Sequence, residues 1–155
     1  MDLILTFVAD HLSWLWRGGR FQITDSRADR SNGGDGLLFV ESEGLRIRFT
    51  CDRRQLMADV QPVQDPGDWY SIDLLRRLWT GRPESSALLD ESYARFLQLH
   101  LDEIEDLVAG EGWPAARDRL RELRVQRSRE LFGLRRGRAG GRRSWVRAAA
   151  GATHG

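Results

Sequence analysis

The chain has 155 residues, of which 41% are apolar and 30% charged, and its formal charge is +1. That length matches one domain around one core, and a single cysteine, Cys51, excludes an internal disulfide or a cysteine-built metal cluster. An acid at Asp2 and a short apolar run after it do not fit a signal peptide or a bilayer span, so a reducing, cytoplasmic setting is expected.

The small net charge hides a polarity along the chain. Residues 1–112 carry twelve arginines against twenty carboxylates, a balance of −8, whereas residues 113–155 carry twelve arginines against Asp118, Glu122 and Glu130, a balance of +9. Every basic residue is arginine, 24 in all. Without lysine, P-loop and Schiff-base chemistries lack their central residue.

Taken in chain order, residues 2–16 place Ile4, Phe7, Val8, His11, Leu12 and Leu15 at three- and four-residue steps, which predicts a helix with one buried face. Asp2 is expected to cap it and Gly18-Gly19 to end it. The period then shifts to two over residues 20–63. Phe21 and Ile23 alternate with polar neighbours, and Leu37-Leu38-Phe39-Val40 follows a glycine-rich loop at 29–36. Residues 45–51 set Leu45, Ile47, Phe49 and Cys51 on one side and Arg46, Arg48 and Thr50 on the other. A fourth strand is expected over 56–60. Ser42-Glu43-Gly44 and Asp52-Arg53-Arg54-Gln55 are short enough for hairpin turns, so the strands form an antiparallel meander that Pro62 and Pro66 close.

Three helices follow. Ser71 is expected to cap the first, through Ile72, Leu75, Leu78 and Trp79, with Asp73 in its first turn and Gly81-Arg82-Pro83 stopping it. The second spans 86–108, its buried face marked by Tyr93, Phe96, Leu97, His100, Leu101, Ile104, Leu107 and Val108. The third starts near Pro114 and runs to about Phe132 with Ala116, Leu120, Leu123 and Leu131 on one side. Beyond Gly133 arginine and glycine dominate, and too little can be buried to offset chain entropy. The fold class is therefore α+β: an N-terminal helix, a four-stranded antiparallel meander, then three C-terminal helices packed on one sheet face. Residues 1–133 form a single domain and 134–155 a disordered tail.

Candidate chemistry is sparse. His11 and His100 fall on the apolar stripes of their helices, where a core-facing or rim histidine is the ordinary outcome; His154 lies in the tail. A site joining His100, Glu103 and His11 would lack an identified third ligand, and the HExxH and GxSxG patterns are absent. The loop around Asn32 to Gly36 leads into a strand rather than a helix, which gives no phosphate cradle. Neither a metal nor a cofactor is expected, and no catalytic residues are assigned.

Interaction features are richer. Asp65, Asp68 and Asp73 surround Trp69-Tyr70, and Asp102, Glu103, Glu105 and Asp106 make the long helix acidic, a pattern that forms either a solvated face or a docking surface for a basic partner. Of six tryptophans, Trp16 and Trp69 stand beside element ends, where either could anchor a partner. Opposed to these, Arg117, Arg119, Arg121, Arg124, Arg127 and Arg129, continued by six tail arginines, could neutralise nucleic-acid phosphates without reading sequence. Internal pairing of that basic helix with the acidic body accounts for the same charges.

The pattern of Phe7 and Leu15 on a first helix, Leu45-Arg46-Ile47-Arg48-Phe49 in a meander, a charged turn at Asp52-Arg53-Arg54, and Trp69-Tyr70-Ser71 opening a helix resembles small bacterial α+β proteins of uncharacterised function. Some of these resemble the immunity proteins that neutralise polymorphic toxins. The resemblance is architectural, covers about residues 2–132, and carries over no functional residue. It implies a non-enzymatic protein-binding module that covers a basic partner; the acidic clusters and the element-end tryptophans make Trp16, Asp65, Asp68, Trp69, Asp102, Glu103 and Asp106 the expected contact residues. The other reading is nucleic-acid binding through the last helix and tail.

Overall fold

In the computed structural model, which describes residues 1–28 and 35–137, a helix, five strands and three further helices follow one another. They are α1 (Asp2–His11), β1 (Gln22–Ala28), β2 (Gly36–Glu41), β3 (Leu45–Asp52), β4 (Gln55–Pro62), β5 (Tyr70–Ser71), α2 (Ile72–Thr80), α3 (Glu91–Ala109) and α4 (Trp113–Gly137). The chain resolves into two units, Met1–Arg124 and Val125–Gly155, and the described part of the second is the distal end of α4. Helical backbone thus continues past residue 133, where the tail was expected to begin; the rest of that expected tail, residues 138–155, lies outside the described residues, as does most of the glycine-rich loop at 29–36.

The five strands form one antiparallel sheet in the order β1-β2-β3-β4-β5, so each strand pairs with its sequence neighbour. In β3, Leu45, Ile47, Phe49 and Cys51 are buried while Arg46, Arg48 and Thr50 are half-buried, as the two-residue period requires. Register carries that inner face across the sheet, with Leu38 opposite Phe49, Val40 opposite Ile47, and Phe49 opposite Ala58. α1 packs on β2 and β3, α2 on β4 and β5, and α3 on α1 and α2. On α3 the buried residues Tyr93, Ala94, Phe96, Leu97, Leu101, Ile104 and Val108 repeat at three- and four-residue steps, which is the stripe a helix needs to cover a sheet on one side only.

Several boundaries move, each for a local reason. α1 stops at His11 because residues Ser13–Trp16 tighten into a 3-10 turn, and Met1 rather than Asp2 holds the N-cap position. α3 begins at Glu91 instead of 86: the Asp90 carboxylate accepts hydrogen bonds from the backbone N–H groups of Ser92 and Tyr93, and a cap so placed defines the first turn. Ser71 sits at the N-cap position of α2 without a side-chain cap bond, and Gly81, at φ +68, ends that helix in the left-handed region. β5 joins the sheet through only two residues, Tyr70 opposite Val60 and Ser71 opposite Asp59. Two expected core residues lie outside: Ile23 is 54% exposed on the edge strand and Leu131 62% exposed on α4.

The β3–β4 hairpin turns through Arg53 and Arg54, both at positive φ (49° and 65°), between the paired residues Asp52 and Gln55. A two-residue turn of this hand normally takes Asn-Gly, because a side chain there meets its own carbonyl. The Arg53 N–H donates to the Asp35 carboxylate at 3.0 Å, which offsets part of that cost. Arg54→Gly is accordingly expected to raise stability by about 1 kcal/mol, read as a higher denaturation midpoint with an unchanged slope.

Candidate functional site

After the 3-10 turn the chain must reverse sharply to enter β1, and it does so at Gly18 and Gly19, both at positive φ (103° and 69°). That reversal delivers Arg20 to the foot of α3, where its guanidinium lies 2.8 Å from Asp102 and 3.2 Å from Glu105. From the other side the β2–β3 turn brings Ser42, a buried residue whose hydroxyl hydrogen-bonds Glu105 and receives the Leu45 N–H at 3.1 Å. The three segments enclose a cleft of about 670 Å³.

Its charge is one-sided. Glu41, Glu43, Glu105 and Asp106 line it against the single cation Arg20. Glu41 is held by Arg46 at 2.9 Å on the adjoining strand, whereas Glu43 and Asp106 have no ion-pair partner among the described residues. Glu43 and Asp106, without such partners among the described residues, favour a cationic group from outside, since a recess concentrates their field.

The second acidic group is arranged differently. The loop between β4 and β5 presents Asp65 and Asp68 to α4. Asp65 accepts from the Trp113 indole at 2.9 Å and from Arg117 at 3.0 Å. Asp68 accepts from Arg121 and Arg124 at 3.0 and 3.2 Å, and Arg124 also donates to the Trp69 carbonyl at 2.6 Å. The indole and then Arg117 hold the Asp65 carboxyl below its ordinary range; Arg121 and Arg124 do the same for Asp68. These acids and three of the eight α4 arginines therefore satisfy one another.

Between them lies Tyr70, 1% exposed, packed edge-on against Trp113 at 5.7 Å and under the Arg124 guanidinium at 5.2 Å. Burial pushes its phenol pKa up. Trp69 points to the opposite sheet face, half-buried beneath Arg48 at 4.5 Å and beside Phe39 at 5.9 Å. Arg48 is itself held by Asp59 at 2.8 Å.

The expected contact residues thus separate into four places. Asp106 lines the cleft with Glu105, and Asp102 pairs with the cleft's Arg20; Asp65, Asp68 and Trp69 brace the β4–β5 loop; Glu103 turns to Trp79 and His100. The Trp79 indole at 3.1 Å, and then His100 at 2.9 Å, hold the Glu103 carboxyl below its usual value. Trp16 is half-buried and packed against the core. His11 leans on Phe7 at 4.8 Å. Among the described residues no group of three or more His, Cys, Asp or Glu is placed to hold a metal ion, and no helix is long and apolar enough to cross a membrane. Cys51 is buried in the core.

Glu41, Ser42 and Glu43 were not singled out from sequence, because they read as the end of a strand and an ordinary polar turn. The available signal was the Gly18-Gly19 pair ahead of an isolated arginine. Comparison with protein-family models, with curated proteins and with solved structures finds no match.

Proposed function

We propose that this protein is a non-enzymatic binding module for a basic protein partner, of the immunity-like kind that neutralises a toxin such as a nuclease by covering its cationic surface. The observation that carries the reading is the cleft in which Glu41, Glu43, Glu105 and Asp106 face one arginine. A cationic side chain from a partner entering there meets carboxylates already converged, so little reorganisation is needed on binding. The exposed Glu43 and Asp106 in the cleft lining extend the negative field outward and would speed encounter with a basic surface. On this reading the acidic contact surface is the cleft, and Asp65 and Asp68 serve the fold instead.

The test is titration calorimetry of the full chain against the product of the adjacent gene. A complex at micromolar concentration is expected, and Glu43→Arg with Asp106→Arg should weaken it by about a hundredfold, the size for two charge pairs turned repulsive. The exposed Asp118→Arg on α4 should leave it unchanged. No complex at micromolar concentration would remove the support for this reading. Salt-sensitive DNA or RNA binding that disappears when residues 138–155 are deleted would favour nucleic acid as the partner instead.

A further inference from the structure

The sheet ends at β1. All seven residues from Gln22 to Ala28 are exposed, and because the strand order places β1 first, one whole row of its backbone N–H and C=O groups has no strand beside it among the described residues. Proteins usually blunt such an edge with a bulge, a charge or a very short strand. A bulge is present here at Thr24, where the register with β2 shifts between Ile23 and Asp25. From Asp25 to Ala28 the pairing is regular, so the outer edge of that stretch is straight and open.

We infer that this edge pairs with the same edge of a second copy, joining two five-stranded sheets about a two-fold axis centred on Ser26. The choice of occupant follows from charge. A two-fold axis normal to the sheet keeps each face on its own side, so it must pass through a residue position, and that residue then faces itself. Centring on Asp25 sets two carboxylates opposite each other, and centring on Arg27 sets two guanidinium groups opposite each other. Centring on Thr24 falls on the bulge. Centring on Ser26 places Asp25 of each copy opposite Arg27 of the other, two cross-strand ion pairs of the kind that stabilise neighbouring strands, with Thr24 opposite Ala28.

Both charged side chains are free to turn outward for this. Arg27 and Asp25 contact each other along the strand at 3.3 Å, with side-chain exposures of 75% and 46%. Neither contributes to the core, so both can be exchanged without disturbing the fold. The dimer goes beyond the cleft reading, although Gln22 and Thr24 of the same strand also line the cleft.

Sedimentation equilibrium of the full chain over a range from low micromolar to several hundred micromolar tests this directly. The wild type is expected to pass from monomer to dimer across that range. Asp25→Arg and Arg27→Asp, each of which turns both cross-strand pairs into repulsions, should each weaken the dimer by about tenfold or more. The double exchange, Asp25→Arg with Arg27→Asp, restores opposite charges and should return dimerisation to near the wild-type level. Circular dichroism melts confirm that each variant is folded. A wild type that stays monomeric at the highest concentration overturns the proposal, as does a dimer indifferent to the single exchanges, or one that the double exchange fails to restore.

Discussion

Replacing Trp113 by alanine is expected to lower the unfolding free energy by about 3–5 kcal/mol, the usual cost of truncating a buried aromatic to a methyl group. The side chain is 7% exposed, meets Tyr70 edge-on at 5.7 Å, and begins α4. Its indole N–H also donates to Asp65 at 2.9 Å, so removal opens a cavity and strips the carboxylate of one donor together. Trp113→Phe separates these effects. It keeps an aromatic ring at the same place and loses the N–H together with part of the indole's bulk, while Arg117 still reaches Asp65 at 3.0 Å. The phenylalanine variant should therefore retain most of the stability that the alanine variant loses. Urea titrations followed by far-ultraviolet dichroism give both values; a loss below about 1 kcal/mol for alanine would show that this contact is not what fastens α4.

The acid limb of the stability profile is the second large effect. Asp65 and Asp68 both titrate below their ordinary 3.8 in the folded protein, through Trp113 and Arg117 for one and through Arg121 and Arg124 for the other. A carboxyl depressed by folding stabilises the fold at pH above the unfolded value, and the contribution disappears as the pH falls through the folded value. Melting temperature should accordingly be insensitive to both groups from neutral pH down to about 5 and then fall steeply below about 4. Glu103, depressed by Trp79 and His100, adds to the same limb. Asp65→Asn with Asp68→Asn should start lower at neutral pH and fall less between pH 5 and 2. Parallel acid limbs in the variant and wild type would contradict the assignment. Both aspartates retain access to solvent, so salt should weaken their pairs as well.

What could be read from the chain alone divides by range. The alternation of Leu45, Ile47, Phe49 and Cys51 and the stripe from Tyr93 to Val108 are local periodicities, and both appear as buried faces. The meander was legible because its turns are short. β5 was not, since Tyr70 and Ser71 are too few to show a period and pair only because the 63–69 loop returns them to β4. The start of α3 depended on which of several polar residues capped it, a choice made by the Asp90 carboxylate reaching two N–H groups. Ile23 keeps the alternation of a buried strand, yet every residue of β1 is exposed.

The acidic surface illustrates the same limit in charge. Asp65 and Asp68 looked like the acids around Asp102 when counted along the chain, and nothing local distinguishes them. Their difference arises from partners 48 to 56 positions away on α4. Internal pairing of the basic helix was readable as a possibility from the opposed charges, and the geometry assigns it to Arg117, Arg121 and Arg124.

The cleft draws all of its lining from residues between Gly19 and Ala109, and its sheet is made of strands that each pair with the preceding one. The strand pairings, between neighbours in sequence, form early, since little loop entropy is spent in closing them, whereas the Arg20–Asp102 and Ser42–Glu105 contacts, 82 and 63 positions apart, wait for α3. The Asp65–Arg117 and Asp68–Arg124 pairs close shorter segments, of 52 and 56 positions, but they need α4, which follows α3 in the chain. During synthesis the acidic recess should therefore exist before α4 has left the ribosome, and α4 should arrive on a sheet already assembled.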